Sequence, residues 1–253
     1  MSTFKIVSII VLAFIVSLLA NIPARHVYPY IESALPRTFL YQIEGSLWSG
    51  KAQNASVYGI PMQELSWNFK LWPLLMGRLE TSMSGKNSDG YIKGNVGYSI
   101  TKVVYLRNIE ARLNILQVAP LVNSSLSYLD GNLVLNNFYL KMSENEIYDA
   151  AGVIKWQNAQ LTIPAPIKLG DFKISVEKKD SKINALIKDE GQGPMVADGV
   201  FNLKNDGSYS LSSVFYERNP GGGLMQQLAL FGSPGPDGKF KVTNQGKLAS
   251  LLK

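Results

Sequence analysis

The chain has 253 residues, 46% of them apolar and 17% charged, with a formal net charge of +6, one histidine and no cysteine. The length allows one or two domains with a sizeable core. The lack of cysteine removes disulfide frameworks, thiolate-bound metal centres and cysteine nucleophiles. Lysine and arginine are scattered singly without a run of four, so the positive balance forms no nucleic-acid footprint and no nucleic-acid partner is expected.

In chain order, residues 1–5 form a short N-terminus carrying Lys5, and no charged side chain occurs from Ile6 to Ala24. At about 1.5 Å per residue this run matches a hydrocarbon core of about 30 Å and reads as a single transmembrane helix over 6–24. A cleaved secretory signal is the competing reading, with Ala20 and Ala24 as small residues after the apolar stretch. The run exceeds the usual signal core, and Arg25, Tyr28 and Tyr30 form a polar and aromatic collar at the exit, which favours an uncleaved anchor. The positive-inside bias is small. Five residues before the span make a cytoplasmic N-terminus the simpler insertion, with residues 25–39 as a juxtamembrane connector.

Residues 40–253 alternate apolar and polar side chains between Gly, Asn and Asp, the pattern of half-buried strands joined by turns. Leu133, Leu135, Phe138, Leu140 and Met142 alternate in this way, as do Phe172, Ile174 and Val176, then Ile183, Ala185 and Ile187. Phe201 and Leu203, the turn Asn205-Asp206-Gly207, and Tyr209 and Leu211 read as a hairpin. A glycine opens several of the apolar strands, among them Gly45, Gly94, Gly131, Gly152 and Gly199. Gly45 and Gly50 stand at strand ends, Leu47 and Trp48 face opposite sides of a strand, and Gly59-Ile60-Pro61 reads as a turn. Helical signals are short: Trp72–Gly77, Leu113–Leu121 cut by Pro120, and Leu224–Gly232. The expected fold is all-β, a transmembrane helix followed by an antiparallel sheet with a few short helices.

Residues for catalysis are missing from this pattern. His26 lies at the exit of the span, the carboxylate pairs Glu144/Glu146 and Asp189/Glu190 lie in polar turn-like sequence, and Gly221-Gly222-Gly223 lacks the Lys-Ser/Thr of a phosphate loop. No enzymatic activity, cofactor or metal site is expected. The candidate interaction residues are Leu47, Trp48, Trp67, Trp72, Ile154, Trp156 and Phe201, because a two-faced sheet leaves some large side chains outward.

The segment Tyr41–Ala52 with its Gly45-Ser46-Leu47-Trp48-Ser49-Gly50 core, then Val57–Met62, Leu65–Trp67 and Leu71–Leu79, resembles the type II secretion system protein N family. The blocks Asp149–Ala159, Leu169–Asp171, Gly193–Gly199, Asp206–Tyr209 and Leu224–Gly232 continue the likeness in order to about residue 242. The resemblance implies a single-pass protein of the Gram-negative inner membrane with a cytoplasmic N-terminus and a periplasmic body. It further implies an accessory scaffold whose partners are the inner-membrane and secretin components of the machine that exports folded proteins. The Gly-x-Leu-Trp strands are more distantly similar to AsmA-like proteins. That likeness implies a curved, taco-like sheet and, as the alternative function, a lipid-binding or lipid-transfer module of the cell envelope with Leu47, Ile154 and Phe201 lining an apolar trough.

Overall fold

The structure is a computed structural model describing residues 3–35, 37–122, 128–144, 146–162, 165–228 and 234–247. The chain divides into two compact units, Met1–Asn87 and Ser88–Lys253.

The first unit opens with helix α1 (Thr3–Ala20), whose described side chains from Lys5 to Ala20 are exposed on every face. Among the described residues no helix is long and apolar enough to cross a membrane. The helix stops short of the expected Ala24. The Asn21 side chain donates to the Ser17 carbonyl at 2.7 Å, its backbone N–H bonds the Ser17 and Leu18 carbonyls, and Pro23 forms a bridge with Ser46. Asn21 thereby satisfies carbonyls that a helix end leaves open. Helix α2 (Ala24–Ile31) follows, and its Tyr28 hydroxyl accepts from the Leu40 N–H at 2.9 Å. Four strands then form an antiparallel meander: β1 (Thr38–Gly45), β2 (Ser49–Val57), β3 (Ile60–Lys70) and β4 (Arg78–Lys86), with the one-turn helix α3 (Leu71–Leu74) between the last two.

The second unit is a longer meander of the same kind: β5 (Tyr91–Ser99), β6 (Val104–Asn114), β7 (Leu129–Met142), β8 (Ile147–Leu161), β9 (Ile167–Lys179), β10 (Lys182–Asp189), β11 (Met195–Lys204), β12 (Ser208–Glu217) and β13 (Phe240–Lys247). Each strand pairs antiparallel with its sequence neighbour. Helix α4 (Ile115–Val122) continues past Pro120, and helix α5 covers only Leu224–Gln227. The rest of the expected third helix, residues 229–232, lies outside the described residues. The 205–207 turn joins β11 to β12 as expected, with Leu203 opposite Tyr209.

Two features depart from simple alternation. Asn108, Asn137 and Asn158 adopt positive φ at or beside register shifts, which insert an extra residue and move the next apolar side chain to the other face. Gly131, Gly152 and Gly199 lie inside β7, β8 and β11 and do not open them as turn residues. Close approach explains the last two: a Cβ on Gly152 would meet the Phe138 backbone at 2.8 Å, and one on Gly199 would meet the Ser213 hydroxyl at 2.5 Å. One core cluster joins Leu161, Ile167, Leu169, Phe172, Met195 and Leu224. A second joins Ala150, Ile183, Leu203 and Tyr209, with Phe201 packed against it.

Candidate functional site: an apolar cavity and a tethered hairpin tip

The second unit holds a cavity of about 410 Å³ lined only by apolar side chains. Its floor follows from strand pairing. Ile174 stands opposite Ile187, Ile187 opposite Gly199, Gly199 opposite Ser213, and Ser213 opposite Val242, so one row crosses five strands on a single face. Ile174, Ile187 and Val242 from this row line the cavity, and Phe172, Phe215 and Phe240, two residues along their strands, line it too. The bulge at Asn158 allows Trp156 and Leu161, which differ in parity, to reach the same space. Leu228, just beyond α5, closes one wall.

Polar groups orient this wall without entering it. The Trp156 indole N–H donates to the Asp130 carbonyl at 3.0 Å, and its ring lies 5.7 Å from that of Phe172. Hydrogen bonds from the Gln160 side chain and the Gly131 N–H hold the Asp130 carboxyl below the usual carboxylate range, against the opposing effect of burial. At the β10–β11 turn, Arg218 donates to the Gly193 carbonyl at 2.8 Å and ion-pairs with Asp189. Burial pushes the Asp189 carboxyl up. The bonds from Arg218, Gly191 and Ala197, with the Arg218 charge, outweigh it and hold the group below its ordinary value. Glu190 pairs with Lys155 at 2.6 Å, so this carboxylate pair braces the turn and is not merely solvated. Ser213 is 3% exposed, and its hydroxyl has no hydrogen-bond partner. A pocket of this size and lining suits an apolar ligand.

The first unit presents a different arrangement. Leu47 and Trp48 form the β1–β2 tip and not a strand, because the tip is tied to the chain leaving α1. The Trp48 indole N–H donates to the Leu19 carbonyl at 2.8 Å, and the Leu47 N–H to the Ile22 carbonyl at 2.8 Å. The Trp67 indole N–H donates to the Leu47 carbonyl at 3.1 Å, and its ring lies over Gly50, where a Cβ would clash at 2.5 Å. Gly45 and Gly59 both have positive φ; Tyr58-Gly59 makes the β2–β3 turn, and Pro61 already pairs within β3. Trp72 stands exposed in α3.

Of the expected interaction residues, then, Trp156 lines the cavity, and Ile154 stands half-buried opposite Ile174. Phe201 stacks on Tyr209 in the second core cluster, and Leu47, Trp48, Trp67 and Trp72 belong to the first unit. The sequence reading did not single out Phe172, Phe215, Phe240 or Ile187 as site residues. Their shared face was signalled by alternation within each strand, but the register joining the strands was not.

An all-β protein whose strands enclose an apolar pocket, with converging polar groups only at its rim, has the character of a binding or assembly module. Residues 36–243 match the family model described as type II secretion system (T2SS), protein N, and the chain belongs to that family, a component of type II secretion. The type II secretion system protein N of Aeromonas hydrophila is 25% identical over 262 aligned positions, covering 96% of this chain and 98% of that protein. The protein of the same name from Vibrio cholerae serotype O1 is 26% identical, covering 81% of this chain and 83% of that one. No solved structure matches the chain.

Proposed function

We propose that the chain is an accessory inner-membrane component of the secretion machine, anchored once by α1 with its N-terminus cytoplasmic, and that its periplasmic β body acts as an assembly scaffold. The family match across both units carries this reading. The backbone of α1 spans 18 residues, or about 27 Å, and bilayer thinning and snorkelling of Lys5 make up the shortfall against a core of about 30 Å. Anchoring confines the body to the membrane plane and raises its effective concentration near other anchored or secretin components. Among the described strands β13 pairs only with β12, so its free edge offers backbone groups to a strand of a partner. Photo-crosslinking in cells from a probe replacing Thr243 on that edge tests the proposal. Adducts to inner-membrane or secretin components support it, and adduct-free β13 with unchanged secretion after Thr243→Pro overturns it.

The apolar cavity favours a second reading, in which the body holds an acyl chain that gains about 0.8 kcal/mol per buried CH₂. A probe replacing Val242 distinguishes the two. Reproducible phospholipid adducts there, with no protein adduct from β13, replace the scaffold with a lipid-handling module.

A further inference from the structure

Among the described residues, the most exposed apolar segment outside α1 is the connection between β3 and β4. Leu71, Trp72, Leu75 and Met76 are 61%, 74%, 78% and 54% exposed, and no polar residue interrupts the run from Leu71 to Met76. Four large apolar side chains in water on one short loop are an aggregation hazard unless something covers them.

The register fixes where this loop lies within its unit. Ser49, the first residue of β2, pairs with Asn68 near the end of β3, so the β1–β2 tip and the α3 loop share one end of the meander. The Phe69 N–H donates to the Trp48 carbonyl at 2.7 Å, and the Phe69 and Trp48 rings meet edge to face at 6.3 Å. Trp48 in turn bonds the Leu19 carbonyl in the last turn of α1. Leu71 is two residues past Phe69, a chain path of about 7 Å. The apolar loop therefore begins beside the residue that holds the end of α1. Arg78 follows the apolar run, and before it Lys70 is ion-paired with Glu80 at 2.6 Å, so polar groups bound the run on both sides. The Tyr58-Gly59 turn lies at the opposite end of β2, about 30 Å away for a nine-residue strand.

We infer that the α3 loop is a second membrane contact: Leu71, Trp72, Leu75 and Met76 dip into the headgroup and acyl boundary of the bilayer that α1 enters. Burying these side chains removes their apolar surface from water, and Trp72 has the amphipathic ring favoured at that depth. The bond from Trp48 to Leu19 makes the arrangement stiff, because it couples the sheet to the helix end and leaves no free linker at that point. The first unit is then held by two insertions, which fix its orientation above the bilayer, whereas a single helix leaves it free to swivel.

The inference rests on the proposed anchor, and the test separates the two. Because the chain has no cysteine, Leu75→Cys, Leu12→Cys and Tyr58→Cys are each single-cysteine variants of the full chain. Each is labelled with a nitroxide in nanodiscs of phosphatidylethanolamine and phosphatidylglycerol, and collisions with oxygen and with a water-soluble nickel chelate are measured. Expected are Leu12 deep in lipid, Leu75 at about 5–10 Å into the boundary, and Tyr58 in water. Leu12 in lipid with Leu75 as accessible to nickel as Tyr58 overturns the loop contact and leaves the anchor standing. Leu12 accessible to nickel overturns the anchor and the loop contact with it. A Leu75 label shielded from both reagents means that protein covers the loop, which also overturns the lipid assignment.

Discussion

The two units use the same antiparallel grammar and send their large apolar side chains to opposite destinations. In Met1–Asn87 they face outward, along α1 and on the α3 loop, and the buried residues of the meander are few, Ala52, Ala55, Met62 and Leu65 among them. In Ser88–Lys253 a cluster of them faces inward, although Ile100 and Tyr98 stand exposed: Phe172, Leu169 and Met195 are buried, and Trp156 and Phe215 pack against them around open volume. A strand pattern therefore does not distinguish a surface made for contact from a wall made for enclosure. Deleting apolar bulk does, because only enclosed bulk contributes to folding stability.

The largest effect is expected at the enclosed wall. Phe172→Ala removes a buried ring tilted against Trp156 and is expected to cost about 3–4 kcal/mol, read as a lower urea midpoint. A cost under about 1 kcal/mol would mean that the wall is as unconstrained as the first unit's exposed loop. Next comes the rim. Asp189→Asn weakens the pair with Arg218 and is expected to cost about 2 kcal/mol at neutral pH. The Asp189 carboxyl lies below its ordinary value in the folded chain, so its contribution is present above the unfolded value of about 4 and is lost as pH falls through the folded one. Thermal unfolding of the parent and variant should therefore differ at pH 7 and converge towards pH 3. A difference independent of pH would remove the charge from the explanation.

Much of this was legible in sequence, and the exceptions have a common cause. Alternation marked the strands carrying Phe172, Ile174 and Ile187, and Asn205-Asp206-Gly207 marked the β11–β12 turn. Alternation failed where an asparagine in the left-handed region shifts parity, as at Asn158, so that Trp156 and Leu161 share a wall although they lie five residues apart. Gly152 and Gly199 resemble strand openers in sequence because a missing side chain looks the same whether the chain turns or another group packs against it. The tip role of Trp48 was illegible, since its partner is the Leu19 carbonyl 29 residues earlier and carries no side-chain signal. The same limit hid the cavity, whose lining comes from seven consecutive strands, β7 to β13.

A smaller effect, opposite in sign, is expected beneath the cavity. Ser213→Ala removes the unpartnered hydroxyl that sits against Gly199 and is expected to raise stability by about 1 kcal/mol. An unchanged or lower urea midpoint would mean that the hydroxyl has a partner in the folded chain. The exposed loop gives the smallest effect on folding. Leu75→Ser deletes about as much apolar bulk as a core substitution, yet the side chain has little buried surface to lose. Its urea midpoint should therefore move by no more than about 0.5 kcal/mol. The same substitution should bring a nitroxide on Trp72→Cys nearer the aqueous phase in nanodiscs, because Leu75 contributes to insertion and not to packing. A large stability loss with no change in label depth would reverse the contrast, making the loop a folded wall and leaving α1 as the first unit's sole membrane contact.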